Sequence, residues 1–164
     1  MSHYRLPSRT VTGVALIVAP LVGVGLKMVS AGWTLMFLMF GPIIVLVAGY
    51  IVQVVMAAQG FLGKQDLFGD ARDRATTAAW ATSVSSVLVG VFFPDGTDGG
   101  YGSTFQKWLG SYGPNGDAVH AATDAWSEWL AIGLTAIWVV SYVWLFVEWV
   151  VALRRRKADA RSTT

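Results

Sequence analysis

Cysteine is absent from this sequence, and charged residues are scarce, at 13% of its 164 residues. Without cysteine, the chain forms no disulfide bond, thiolate nucleophile, iron–sulfur cluster or cysteine-ligated zinc site. Soluble domains are about 25% charged, so this low value indicates a protein whose surface largely faces lipid. The two histidines, His3 and His120, lie outside the long apolar runs. The chain by itself therefore provides no membrane-embedded histidines to hold a haem.

Residue patterns typical of catalysis are also missing. The sequence contains no Ser-His-Asp set, no evident pair of catalytic carboxylates, no nucleotide-binding glycine loop and no heptad repeat. Its cations cluster where membrane topology requires them and so give no support for nucleic-acid binding. The sequence thus favours a protein that is not an enzyme, and we predict no cofactor.

Long apolar runs are what the sequence has in abundance. A helix needs roughly 20 apolar residues to cross hydrocarbon about 30 Å thick. The clearest run is Trp126–Leu153, in which Leu130–Val147 carries no charge, and four cations, Arg154–Lys157, follow it directly. We predict an all-α integral membrane protein with a single domain, four transmembrane helices and one longer extracytoplasmic loop. The predicted helices cover about residues 11–29, 33–58, 73–93 and 117–156, and the loop covers residues 94–116.

The first apolar run allows two interpretations. Val11–Leu26, closed by Lys27, is a slightly short transmembrane helix whose lysine reaches the interface. A basic start, an apolar middle and the small residues Val29-Ser30-Ala31 are also typical of a cleaved secretory signal peptide covering Met1–Ala31. We favour the retained helix, and the signal peptide stays open as the alternative.

The second apolar run contains two unusual features. Gly41 and Pro42 lie near its first third, where the proline should kink a helix that continues through it. Gln53 is its only strongly polar interior residue. The connection that follows, Gln59–Arg74, carries four apolar side chains and is therefore expected to rest on the membrane surface. These side chains are Phe61, Leu62, Leu67 and Phe68.

Small and hydroxylated residues recur at every fourth position in the third apolar run. Residues four apart lie near one face of a helix, where small side chains let a second backbone approach closely. We therefore predict that this strip and a shorter one in the first run pack the two helices inside the bundle. A pore lined by hydroxyl groups is the alternative interpretation. The strips are Ala78, Thr82, Ser86 and Gly90 in the third run and Ala15, Ala19 and Gly23 in the first.

The polar loop between the third and fourth runs contains one apolar pattern. Phe105, Trp108, Leu109 and Tyr112 have the spacing of one face of a short helix, which Ser103 can cap. Glycine-rich stretches on both sides supply turns. We expect this amphipathic helix to lie flat at the membrane interface or to form a lid over the bundle.

The distribution of cations predicts the orientation, because cytoplasmic segments carry an excess of Lys and Arg. With both termini in the cytoplasm, ten cations lie inside and only Lys27 and Lys107 lie outside. Arg154–Lys157 additionally favours contact with anionic lipid. The excess of arginine over lysine and the single asparagine, Asn115, hint at a GC-rich bacterial genome. The predicted location is therefore the bacterial inner membrane.

Two groups of polar residues are candidate metal ligands. Asp117, His120, Asp124 and Glu128 share one face if the fourth helix begins near Asp117, and carboxylates with an imidazole bind zinc, copper or manganese. The alternative is a solvated helix face with an acidic N-terminal turn. A calcium site is the second candidate, although its spacing matches no established calcium loop. It would use Asp95, Thr97, Asp98, Asn115 and Asp117, and we assign neither set as a metal site.

Glu148 is the one acidic residue between Leu130 and Leu153, in the apolar part of the fourth predicted helix. An acid within the membrane is by default a candidate for coupling to protons or cations. Because it lies near the end of its helix, Arg72 or Arg74 can instead pair with it. Aromatic residues on the same helix allow a quinone or lipid to stack, but aromatics at helical spacing more often serve packing. They are Trp138, Tyr142, Phe146 and Trp149.

Three functions follow from these patterns. We predict a non-catalytic subunit or interaction partner of a larger bacterial inner-membrane assembly, with the lipid bilayer and other membrane protein subunits as its partners. The first alternative is a small transporter or pore that uses Glu148, Gln53 and the hydroxyl strip of the third helix. The second is a metal-handling membrane protein that uses the four residues around His120.

Overall fold

The computed structural model describes residues 7–30, 32–33, 36–37, 40–97 and 100–162, and it is mostly helical. Within these described residues, four helices are long and apolar enough to cross a membrane, which agrees with the predicted number of candidate spans. The helices are α1 (Arg9–Lys27), α2 (Pro42–Ala57), α3 (Arg72–Phe92), the short α4 (Thr104–Trp108) and α5 (Gly116–Ser162). Two strands, β1 (Asp95–Thr97) and β2 (Gly100–Gly102), precede α4.

α3 is the central helix of the bundle. It packs against both α1 and α5. Of the residues in its 18-residue apolar stretch, 50% are buried, compared with 22% in the corresponding stretch of each of the other three long helices. Its small side chains explain this burial, because Ala75, Ala78, Ala79 and Thr82 are fully covered. Small residues let neighbouring backbones approach closely. The predicted small-residue strip is thus part of the most buried helix.

The expected kink at Pro42 is instead the beginning of a helix. α2 starts at Pro42, directly after Gly41, whose φ of 157° is rarely adopted by residues with a side chain. Proline suits the first turn of a helix because its missing N–H would have no partner there and its φ is already helical. The expectation of a kink inside one continuous helix is therefore wrong.

The buried polar residue of α2, Gln53, compensates for a proline inside α1. Pro20 has no N–H, so the carbonyl oxygen of Leu16, four residues earlier, loses its partner within the helix. Gln53 donates from Nε2 to that oxygen at 2.7 Å, and both residues are buried. The hydroxyl group of Tyr50 donates to the next carbonyl, that of Ile17, at 2.9 Å. These two bonds join α2 to α1 beside the proline.

The connection between α2 and α3 folds onto the bundle. It begins with a π-helical turn at Ala58–Leu62 and ends with a 3-10 turn at Gly69–Ala71. The ring centroids of Phe61 and Phe68 lie 5.1 Å apart, and both rings are buried in the main core cluster. The expectation that these two rings rest on the membrane surface is therefore wrong. Gly60 makes their burial possible, because a Cβ atom at that position would overlap the Phe68 ring.

Arg9 of α1 holds this connection in place. Its Nη2 donates to the carbonyl oxygens of Gly60, Gly63 and Gln65 at 3.3, 3.1 and 2.9 Å. Carbonyl oxygens at the C-terminal end of a helix carry partial negative charge, which favours a cation there. Arg156 of α5 also bonds to the side chain of Gln65. The start of α1, the α2–α3 connection and the last turns of α5 thus meet at one end of the bundle.

The other end of the bundle carries a cap, which we define as the described residues from Phe93 to Asn115. It contains β1, β2 and α4, and α5 begins directly after it. The all-α prediction missed the strands, because three-residue strands rich in glycine lack the apolar alternation that indicates a strand. β1 and β2 pair antiparallel, with Asp95 opposite Gly102, Gly96 opposite Tyr101 and Thr97 opposite Gly100.

α5 is much longer than a membrane crossing requires. Its 47 residues extend over about 70 Å at 1.5 Å per residue, whereas roughly 20 residues cross the hydrocarbon. Its early turns bond to the cap through Thr123, and its last turns carry Arg154–Lys157. α5 therefore links the two ends of the bundle.

Candidate functional site

Two helices approach each other closely where the predicted strips of α1 and α3 meet. A Cβ atom added at Gly90 would overlap the Gly23 backbone, and one added at Gly23 would overlap the Ser86 carbonyl group. The two backbones therefore touch, as small residues permit. Ala15 and Ala19 behave differently, because they line an open surface groove of about 480 Å³. Only part of the α1 strip thus packs against α3.

Three buried hydroxyl groups of α3, those of Thr82, Ser83 and Ser86, have partners within the bundle. Thr82 Oγ1 lies 2.8 Å from the carbonyl oxygen of Ala78 and 3.0 Å from the hydroxyl group of Ser141 on α5. Ser83 and Ser86 donate to carbonyl oxygens of the preceding turn, each at 2.8 Å. Such bonds remove most of the cost of burying a hydroxyl group. The strip is therefore compatible with tight packing between α3 and α5.

Glu148 is paired rather than isolated. Its Oε1 lies 2.8 Å from Nε of Arg74, and its Oε2 lies 3.4 Å from Nη2 of the same guanidinium group. The indole nitrogen of Trp144 donates to Oε1 at 3.3 Å. Arg74 is thus the partner among the two arginines that the sequence suggested. The pair ties α3 to α5 near the end of the bundle where Arg9 also lies.

A second ion pair, which the sequence analysis missed, joins α1 to the cap. Lys27 Nζ lies 3.6 Å from Oδ2 of Asp95 and donates to the carbonyl oxygen of Phe93 at 2.9 Å. Asp95 is almost fully buried and also accepts a bond from the Gly32 N–H at 3.0 Å. The positions in the sequence were the available signal, because Lys27 ends the first apolar run and Asp95 is the first charged residue after the third.

Gln106 is the other residue of the cap that sequence analysis missed. Its backbone N–H donates to the Ser103 side chain at 3.2 Å, and its Oε1 accepts from the Ser103 N–H at 2.8 Å, which forms a capping box. Its Nε2 donates to Thr123 Oγ1 at 3.0 Å and to Asp124 Oδ1 at 2.7 Å. Ser103 does cap α4, as predicted, and Gln106 anchors this helix to α5.

Of the four candidate metal ligands around His120, the structure brings His120 and Asp124 into contact but does not group three of them. His120 Nδ1 lies 2.9 Å from Asp124 Oδ1, but Glu128 accepts a bond from the Tyr101 hydroxyl group at 3.2 Å. In the part of the chain that the structure describes, no three His, Asp or Glu side chains are grouped so that they could hold a metal ion. Burial, and then the charge of Glu128, raise the pKa of Tyr101. Asp117 lies in the first turn of α5.

The structure shows other contacts for two of the candidate calcium ligands, Asp95 and Asn115. Asp95 is committed to the contacts with Lys27 and Gly32 described above. Asp98 lies outside the described residues, as does the side chain of Thr97. Asn115 uses its backbone carbonyl group to accept a bond from Val119 at the start of α5.

The aromatic side of α5 makes contacts with α2 and with the π-helical turn that follows it. The Tyr142 hydroxyl group donates to the carbonyl oxygen of Gly49 at 2.8 Å, and the Trp149 indole nitrogen donates to Gln59 Oε1 at 3.2 Å. Phe146 stacks on Trp149 with a centroid distance of 5.8 Å. These contacts favour a role of the aromatic side chains in helix packing over a role in binding a quinone.

The predicted lid residues divide into two groups. Phe105 packs between Phe92 of α3 and Trp126 of α5, at centroid distances of 5.1 and 5.4 Å. Trp108 and Leu109, in contrast, are exposed, as is Tyr112 to a smaller degree. The four side chains therefore do not form one common packed face.

In comparisons with protein-family models, curated protein sequences and solved structures, the chain matched none. The fold itself defines the class: four candidate membrane-spanning helices indicate a multi-pass membrane protein. Within this class, the sites described above are helix contacts and ion pairs.

Proposed function

We propose that this chain is a non-catalytic membrane subunit, which crosses the bacterial inner membrane four times and associates there with other membrane proteins. The observation that carries the proposal is the exposure of residues 43–48 at the beginning of α2. Successive residues of a helix are rotated by about 100°, so six exposed residues in a row leave its whole circumference accessible. A segment so little covered by its own chain is available to a helix of another subunit.

The polar groups between the helices support a structural role. Gln53 bonds to a backbone carbonyl of α1, Thr82 to α5, and Glu148 to Arg74. These are the residues that the transport hypothesis requires as a lining. A solute pathway needs polar groups that a solute can reach. Each of the three instead stabilises a contact between two helices.

The placement of cations supports an orientation with both termini in the cytoplasm. Arg9, Arg74 and Arg156 lie at the end of the bundle where the α2–α3 connection is held, and Lys27 and Lys107 lie at the cap end. Cytoplasmic segments carry the excess of cations. The cap is then extracytoplasmic.

Anionic lipid is a further proposed partner. Arg154–Lys157 are exposed on the last turns of α5, apart from the bond between Arg156 and Gln65. Basic residues next to a span contribute about 1 kcal/mol each to binding at an anionic membrane surface. The cluster therefore also favours lipids such as phosphatidylglycerol on the cytoplasmic side.

Affinity purification in a mild detergent, followed by mass spectrometry, tests the subunit proposal. We expect the wild-type chain to co-purify with at least one other membrane protein. Val45→Trp enlarges a side chain on the exposed part of α2 and should reduce that recovery. Val140→Trp makes the same change at a similarly exposed position of α5 and serves as the control.

Two outcomes would contradict the proposal. The first is a monodisperse wild-type chain that carries no partner after gentle extraction. The second is equal recovery of the partner with both tryptophan variants, which would show that the beginning of α2 is not the contact surface.

A further inference from the structure

We infer that the cap binds the lipid surface through a patch formed by the exposed side chains of Trp108, Leu109 and Tyr112, which we call the Trp108 patch. The partner is the headgroup region of the bilayer at the cap end of the bundle. This inference rests on the proposed membrane-spanning arrangement and adds a lipid contact outside the four spans.

The first argument is that two polar side chains of α4 face inwards, while apolar side chains at its end and in the turn after it face outwards. Thr104 and Gln106 are almost completely buried, whereas Trp108 is 59% and Leu109 is 50% exposed. A short helix that borders water normally shows the opposite pattern, with apolar side chains inside. Apolar groups that face outwards are stable where the surroundings are partly apolar.

The second argument is the depth at which α4 lies. Thr104 Oγ1 donates to the carbonyl oxygen of Leu26 at 2.8 Å, close to the end of α1. Phe105 packs on Phe92, the last residue of α3. α4 is therefore level with the ends of two candidate spans. Hydrocarbon gives way to headgroups at the ends of membrane-spanning helices, so the Trp108 patch lies at that boundary.

The third argument is the chemistry of the patch and its surroundings. Trp and Tyr have an apolar ring and one polar group, and they are enriched where membrane meets water. The sequence contains no acidic residue between positions 99 and 116, so nothing in this segment repels lipid phosphates. Its one cation, Lys107, donates to the carbonyl oxygen of Val29 at 2.7 Å and lies 5.2 Å from the centre of the Tyr112 ring.

Single-cysteine spin labelling tests the inference directly, because the chain has no cysteine of its own. The full-length variants Leu109→Cys, Asn115→Cys and Val140→Cys are labelled with a nitroxide and placed in vesicles of phosphatidylcholine and phosphatidylglycerol. For each label, the frequency of collision with oxygen, which concentrates in lipid, is then compared with the frequency of collision with a water-soluble nickel chelate. Asn115 is exposed in the same cap, and Val140 is exposed in the middle of α5.

We expect the ratio of oxygen to nickel accessibility at Leu109 to exceed that at Asn115 several-fold and to remain below that at Val140. A water-like ratio at Leu109 together with a lipid-like ratio at Val140 would overturn the inference and leave the membrane-spanning arrangement intact. A water-like ratio at Val140 would overturn both. Circular dichroism of each labelled variant shows whether its helices are retained.

Discussion

At the scale of single residues, Gln53 is explained by a residue 33 positions earlier in the chain. Pro20 leaves the carbonyl oxygen of Leu16 without its helical N–H, and the Gln53 amide replaces that donor. Inside a bundle that faces lipid, no water is available to do so. Gln53 therefore serves to complete α1, and its polarity alone does not indicate a transport site.

Replacing Gln53 by leucine should lower the free energy of unfolding by about 1–2 kcal/mol, the range measured for hydrogen bonds between membrane helices in model peptides. In a Pro20→Ala background the helix can supply the missing N–H, and so the same replacement should cost much less. Unfolding of the four proteins of this double-mutant cycle in mixed detergent micelles measures the difference. An equal cost in both backgrounds would contradict this explanation.

Glu148→Gln tests whether the acid of α5 serves packing or transport. The side chain of Arg74 is 58% exposed, so solvent screens the pair and we expect only a small loss of stability. Arg74→Gln should cost a similar amount, and the double variant should cost little more than either. Proton or cation flux into vesicles is measured in parallel. A wild-type flux that disappears in Glu148→Gln but persists in Arg74→Gln would favour the transport hypothesis.

At the scale of elements, the contact between α1 and α3 depends on the absence of side chains. Gly23 and Gly90 bring the two backbones together, while the fully buried alanines of α3 keep the rest of the interface close. Lipid chains are as apolar as the side chains of the bundle, so association in the membrane depends on such close packing.

Gly23→Ala should destabilise the bundle by about 1–3 kcal/mol, because the new methyl group overlaps the Ser86 carbonyl. Gly25→Ala is the matched control, since no atom lies within 4 Å of the position its Cβ would take. That change should be neutral or stabilising by up to about 1 kcal/mol through helix propensity. Thermal unfolding in detergent compares the two variants, and equal effects would refute the close contact.

The cap is joined to α1 by the ion pair between Lys27 and Asp95, which we expect to stabilise it. Removing one member of a buried pair leaves an uncompensated charge, which typically costs about 3–5 kcal/mol. We therefore expect Asp95→Asn to destabilise the protein strongly and to expose the cap to proteolysis. Asp117→Asn, which changes an exposed carboxylate in the same way, is the control. If the two variants unfold alike, the pair does not hold the cap.

At the scale of the whole molecule, aromatic and basic residues mark two levels along α5. Trp126 and Trp129 are exposed near its cap end, and Arg154 begins the basic cluster at the other end. From Trp129 to Arg154 the helix rises about 38 Å, which matches a hydrocarbon core of about 30 Å with part of the headgroup region. This placement leaves the first turns of α5 outside the membrane, beside the cap.

Reporter fusions test this arrangement in cells. Green fluorescent protein fused after Lys157 should fluoresce, because that site is cytoplasmic in the proposed orientation. Alkaline phosphatase inserted at Asn115 should be active, because the cap is then outside. Each reporter exchanged to the other site is the control and should be inactive. Reporters that place both sites on the same side would contradict the arrangement.

Much of the architecture was predictable because a membrane demands long apolar segments. Leu130–Val147 is a complete crossing without a charge, and no packing detail is needed to recognise it. The burial of Phe61 and Phe68 in the core was not predictable in this way. An apolar ring is equally stable against lipid and against protein, so only the space left by Gly60 decides that both rings enter the core.

The sequence by itself determined how many candidate spans the chain has and where its cations fall, because hydrocarbon thickness and the cost of moving charge act on composition and length. Only the tertiary structure decided which polar groups meet: the Gln53 amide with the Leu16 carbonyl group, Lys27 with Asp95, and, of the two arginines that the sequence suggested, Arg74 with Glu148. These partners are separated by 37, 68 and 74 positions along the chain, and their contacts depend on how helices cross in space, which local periodicity does not encode.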